Sequence, residues 1–182
     1  MTVDKVRPAA ALLLAALAVF AATLTGGCKR PEGVMSYDDV KKNQEDAMVT
    51  LKQRGAKFTE EIRPQGKSWA IDLSGQQISD DTFDLLKKVG YITALNLSKT
   101  NVTDAHMARV NEMGIGNLLL KLDLSNTAVT DAGLEKLDSL YLLSSLDLSG
   151  TKVTAAGVAR FRSNRAGNSK INPMFKSPSI RL

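Results

Sequence analysis

The sequence predicts an α/β chain wound as a solenoid, with short parallel strands along one face, helices along the other, and a helix and hairpin covering its N-terminal end. Three observations carry that expectation. An eight-residue phrase starts at Ile71, Leu95, Leu122 and Leu146 (IDLSGQQI, LNLSKTNV, LDLSNTAV, LDLSGTKV), so successive starts lie 24, 27 and 24 residues apart. A fixed period in that range marks coils that bury their apolar sides only against neighbouring coils. Within the phrase, leucines alternate with polar residues at strand period, and apolar pairs spaced i, i+3 follow at helix period.

The first element is a helix beginning near Ser36, with Asp38 and Asp39 at the positive end of its dipole. Val40, Ala47, Met48 and Leu51 give it one apolar face, and Gly55 ends it. Residues 57–63 alternate as a strand, Pro64, Gln65 and Gly66 turn the chain, and residues 68–73 return as the first repeat strand. Each repeat then places Leu-x-Leu inward and a second apolar anchor (Ile78, Val102, Val129 or Val153) a few residues later. Ser79, Thr103, Thr130 and Thr154 stand where helices should start, followed in three cases by Asp80, Asp104 and Asp131. Phe83 with Leu86, Met107 with Val110, Leu134 with Leu137 and Val158 with Phe161 form the buried helix stripes. Counting 24 residues beyond Leu146 predicts a closing strand at 169–172, leaving 173–182 as an irregular tail.

These residues resemble the leucine-rich-repeat family, in its bacterial form that reads L-x-L-S-x-T-x-V-T-D-x-G-L, over residues 68–172. The resemblance implies a curved stack with strands on the concave side and a role in binding proteins. Two departures stand out. Gln76, Thr100, Thr127 and Thr151 occupy the place where that family commonly carries Asn, so threonine hydroxyls are expected to replace the ladder tying one turn to the next. The 27-residue repeat is expected to carry its extra residues as a loop near 113–117.

The N-terminus reads as targeting material. Lys5 and Arg7 precede an uncharged Ala/Leu run at 9–24, then Thr25, Gly26 and Gly27 lead to Cys28. Positive, apolar, small is the order of a secretory signal peptide, here residues 1–27. A retained anchor helix is the alternative, which the shortness of the run disfavours. Residues 24–28 (LTGGC) resemble the lipobox of bacterial lipoproteins, although Leu24 lies four positions before Cys28 and Thr25 stands where leucine is usual. The resemblance implies cleavage before Cys28 and acylation of it, palmitate included, with residues 28–35 as a tether. Lys29, in place of Asp, implies sorting to an outer membrane if the cell has one. Cys28 is the only cysteine, so no disulfide forms within the chain, and an exposed thiol is the plainer alternative.

Composition narrows the function. The chain has 182 residues, 43% hydrophobic and 5% aromatic, and a net charge of +5. After Asp147 there is no acidic residue, while Lys152, Arg160, Arg162, Arg165, Lys170, Lys176 and Arg181 follow. Cations without interleaved aromatics do not point to nucleic acid. His106 is the only histidine and takes the position held by Gly133 and Gly157 in later repeats. With one cysteine and one histidine no nucleophile–base set or metal signature can be assembled, so an enzyme, a cofactor, a metal site and a small-molecule substrate are not expected. Trp69 is expected to pack at the cap, with an exposed recognition aromatic as the alternative.

The candidate site comes from register. The outward positions of the strands form a row of Asp72, Asn96, Asp123 and Asp147, and beside it a second row of Ser74, Ser98, Ser125 and Ser149. Facing carboxylates on adjacent strands repel, so a cation, a basic peptide or Lys121 is expected to relieve Asp123 and Asp147. The rows are either ordinary solvent-facing positions or a surface that binds a protein or envelope polymer. The expected function is a membrane-anchored binding protein of the cell envelope. The alternative is a structural envelope spacer that holds acidic lipid or wall polymer through its basic C-terminal segment.

Overall fold

The computed structural model describes residues 35–63, 66–113, 118–137, 139–171 and 178–182. Residues 38–182 make one compact unit; of the separate unit before it, only 35–37 are described. The signal run, Cys28, the hairpin turn at 64–65 and the loop at 114–117 lie outside the described residues.

The order is α1 (Tyr37–Gln53), β1 (Lys57–Arg63), β2 (Gly66–Asp72), α2 (Asp80–Val89), β3 (Ile92–Asn96), α3 (Asp104–Met113), β4 (Lys121–Asp123), α4 (Asp131–Glu135), β5 (Ser145–Asp147), α5 (Ala155–Ile171) and β6 (Ser179–Arg181). One six-stranded sheet runs β1 to β6 in sequence order, antiparallel between β1 and β2 and parallel thereafter. Consecutive helices α2 to α5 pack against one another.

Alternation explains the strands. Ile71, Leu73, Leu95, Leu97, Leu122, Leu124, Leu146 and Leu148 are all buried, while the intervening Asp72, Asn96, Asp123 and Asp147 are half-buried. The helix pairs beginning at Phe83, Met107, Leu134 and Val158 are buried against them in one core. Truncating any one of these leucines to alanine removes core volume at a cost of about 2–5 kcal/mol. Backbone bonds continue past the strand ends, from Gly75 N to Ser98 O, Lys99 N to Ser125 O and Asn126 N to Ser149 O, each 2.8 Å. The residue after each serine (Gly75, Lys99, Asn126, Gly150) has a φ of 56–70°, the left-handed turn that folds each coil back.

Four expectations need correction. The closing strand is not at 169–172: α5 runs on to Ile171, and Ser179–Arg181 supplies the strand instead, with Ile180 in register with Leu146. Residues 179–181 are therefore ordered sheet and not irregular tail. The threonine hydroxyls do not tie turn to turn: Thr100, Thr127 and Thr151 each donate to the carbonyl three residues back in their own coil, at 2.6 Å. A three-residue reach within the turn satisfies the hydroxyl before a neighbouring coil can. Val40 is 50% exposed, because α1 meets the core only through its C-terminal half, at Ala47 and Leu51. Trp69 packs edge-on to Phe58 at the hairpin, as expected.

Candidate functional site

The outward face of the sheet carries two rows in strict register. Asp72, Asn96, Asp123, Asp147 and Arg181 face one another in sequence across β2 to β6, with Lys57 of β1 opposite Asp72. Two residues earlier on each strand, Ala70, Ala94, Lys121, Ser145 and Ser179 form the parallel row, with Thr59 opposite Ala70. Small side chains at Thr59, Ala70 and Ala94 leave a shallow trough of about 310 Å³, bounded by the carboxylate row.

Each member of the carboxylate row is held by its own turn. An Oδ1 of Asp72, Asn96, Asp123 and Asp147 accepts the backbone N–H two residues on, at 2.9, 2.9, 2.8 and 3.0 Å. This Asx turn needs only an acceptor oxygen, which is why Asn96 fits among aspartates. Partial burial raises the Asp147 carboxyl, but the hydroxyl and N–H of Ser149 and the charge of Arg181 outweigh it, so its pKa lies below the ordinary value. Arg181 Nη1 sits 3.4 Å from Asp147 Oδ2 and supplies the relieving cation. Lys121 lies instead in the neighbouring row, in register with Ala94 and Ser145. Among the described residues, no hydrogen bond or ion pair takes Oδ2 of Asp72 or Asp123.

The serine row lies beside the carboxylate row, just past the strand ends. Ser74, Ser98, Ser125 and Ser149 sit in the turns beyond the strand ends, and Ser98 is buried. The carbonyls of Ser98, Ser125 and Ser149 accept the coil-to-coil bonds described above, so the serines stack coil on coil beyond the aspartate row, Ser98 buried and the other three half-buried.

Several of the other candidates have partners within the chain. His106 Nδ1 accepts the N–H of Thr103 at 3.1 Å and its ring stacks on Phe83, making it a helix-start residue. Of the basic C-terminal residues, Arg165 is buried, donating to the carbonyls of Leu140 and Tyr141 at 3.0 Å over the Phe161 ring. Arg160 pairs with Asp131 and Glu135, and Arg181 with Asp147.

Two residues carry a role that helix-dipole reasoning missed. Asp104 Oδ1 and Oδ2 accept the N–H and hydroxyl of Thr130 in the next coil, at 2.8 and 2.6 Å. Asp131 does the same for Thr154, at 2.7 and 2.7 Å. Gly133 and Gly157 lie against those carboxylates, where a Cβ would collide with them. The signal was present in the sequence: glycine stands at the third position of α4 and α5, after repeats that carry Asp104 and Asp131, whereas α3, which follows Asp80, carries His106 there.

Residues 117–137, which span β4 and α4, match the family model described as Leucine Rich repeat. No curated protein matches the chain. A leucine-rich repeat is thus present, and a protein-binding role is the most that such a repeat suggests on its own. No helix among the described residues is long and apolar enough to cross a membrane.

Proposed function

We propose that the chain is an exported leucine-rich-repeat lipoprotein, tethered at Cys28, whose outward sheet face holds another protein at the cell envelope. On this reading the phrase period makes the repeats from residue 68 onward a solenoid closed by β6, with α1 and the β1–β2 hairpin as its N-terminal cap. The observation that supports it best is the unbroken register of Asp72, Asn96, Asp123 and Asp147 beside a trough floored by alanines. An exposed, small-residue sheet face rimmed by fixed acceptors suits a partner that both packs and hydrogen-bonds. Envelope attachment rests on the lipobox resemblance and on the lone Cys28. The spacer alternative has less support, since Arg165 is buried and the exposed Arg160 and Arg181 already pair with carboxylates of the chain.

The test is in-cell crosslinking of three forms. Cys28→Ser should move the protein from the membrane to the soluble fraction. Ala94→Trp, which fills the trough without touching the core, should keep attachment and lose the crosslinked partner. Crosslinks that survive Ala94→Trp would remove the face from consideration.

A further inference from the structure

The charge along the outward row has a spacing of its own. Asp147 is already matched by Arg181, Asn96 is neutral, and among the described residues the carboxylates of the row that make no ion pair are Asp72 on β2, with Lys57 in register across from it, and Asp123 on β4. Strands lie about 4.8 Å apart, so these two carboxylates repeat at about 9.6 Å. An extended β-segment brings same-side residues round every ~6.7 Å and would miss one of them. A polyproline II segment returns to the same side every third residue, at about 9.3 Å, and matches. Its intervening residues would then lie over Ala70 and Ala94, with Lys121 at the β4 end of that row.

The row also shows that it accepts a guanidinium. Arg181, brought alongside by β6, sits on Asp147 Oδ2 while Oδ1 stays with the Ser149 N–H. Asp72 and Asp123 present the same oxygen in the same turn geometry. Building on the face reading above, we infer that the partner segment is a polyproline II stretch with basic side chains three residues apart, one on Asp72 and one on Asp123. Arg181 is the chain's own occupant of the neighbouring position, holding the third carboxylate away from the partner.

The experiment is fluorescence anisotropy of the full chain in detergent with two labelled peptides of equal composition, Gly-Arg-Pro-Pro-Arg-Gly and Gly-Arg-Arg-Pro-Pro-Gly. The first should bind at least fivefold more tightly than the second. Asp72→Asn with Asp123→Asn, which keeps both Asx turns, should lose tenfold or more and erase the preference between peptides. Arg181→Gln should tighten binding two- to threefold. Equal affinity for both peptides, no loss in the double Asn variant, or no saturable binding of either peptide would overturn the inference. If that happens while Ala94→Trp still abolishes envelope crosslinks, the face reading stands and only the cationic partner falls. If Ala94→Trp changes nothing in the envelope, the face reading falls on its own.

Discussion

The coils are joined in two different ways. Where the first repeat meets the second, a side-chain amide adds to the backbone bonds. Asn101 reaches back so that its Oδ1 accepts the N–H of Ile78 and its Nδ2 donates to the same residue's carbonyl, at 2.7 and 3.0 Å. Thr103 is capped from within its own helix by His106. At the later junctions the backbone replaces the amide, with Ala128 N on Val102 O and Lys152 N on Val129 O. There the helix-start threonines are clamped from the preceding coil by Asp104 and Asp131. At the helix starts, the third helix position differs between the two kinds of junction. Glycine at 133 and 157 admits the carboxylate; the imidazole at 106 fills that space and does the capping itself.

The largest effect should come from removing a clamp. Asp104→Ala strips Thr130 of two acceptors at a half-buried helix start and should cost about 2–3 kcal/mol in urea unfolding. Asp80→Ala, at the matching position before the His106 junction, should cost less than about 0.5 kcal/mol. Equal losses would end the distinction between junctions. Next comes Gly133→Ala, expected to destabilise by about 1–2 kcal/mol because the new methyl displaces Asp104. In an unobstructed helix the same exchange stabilises by up to about 1 kcal/mol, so the sign alone is diagnostic.

A conversion is a finer probe. His106→Gly should cost about 1 kcal/mol through the lost cap and stack, and should open a path for Asp80 to reach Thr103. A double-mutant cycle between the two positions should then show a coupling of about 0.5–1 kcal/mol that the native pair lacks. The smallest effect is one of pH. The N–H and then the hydroxyl of Thr154 hold the Asp131 carboxyl below its ordinary value. Its contribution is therefore full above about pH 4, where an unfolded Asp is ionised, and is lost as pH falls through the lower folded value. Thermal melts of Asp131→Asn should show a shallower acid limb than the native protein, and an unchanged slope would contradict the clamp.

Much of this architecture was legible because leucines at strand period and pairs at i, i+3 have few other uses. Every inward Leu of the four phrases is buried, and the helix stripes fall as counted. The end of the chain was not legible by counting. Extending the 24-residue period assumes a short helix, whereas α5 runs for 17 residues and delays the last strand to Ser179. Arg165 escaped for another reason. In a run of cations it reads as solvated, whereas in the fold it donates to the carbonyls of Leu140 and Tyr141 and lies over the Phe161 ring. For the face, sequence placed the aspartates correctly but could not separate strand from turn at the serines, since both lie at even spacing.

The Asx turns along the sheet have a consequence for recognition. A carboxylate on a free surface spins among several rotamers, and a ligand that grips it must halt that motion. Here folding has already stilled the side chains of Asp72, Asp123 and Asp147, each pinned by a main-chain N–H. Whatever settles there meets acceptors fixed in place, loses less entropy on docking, and finds them oriented before it arrives.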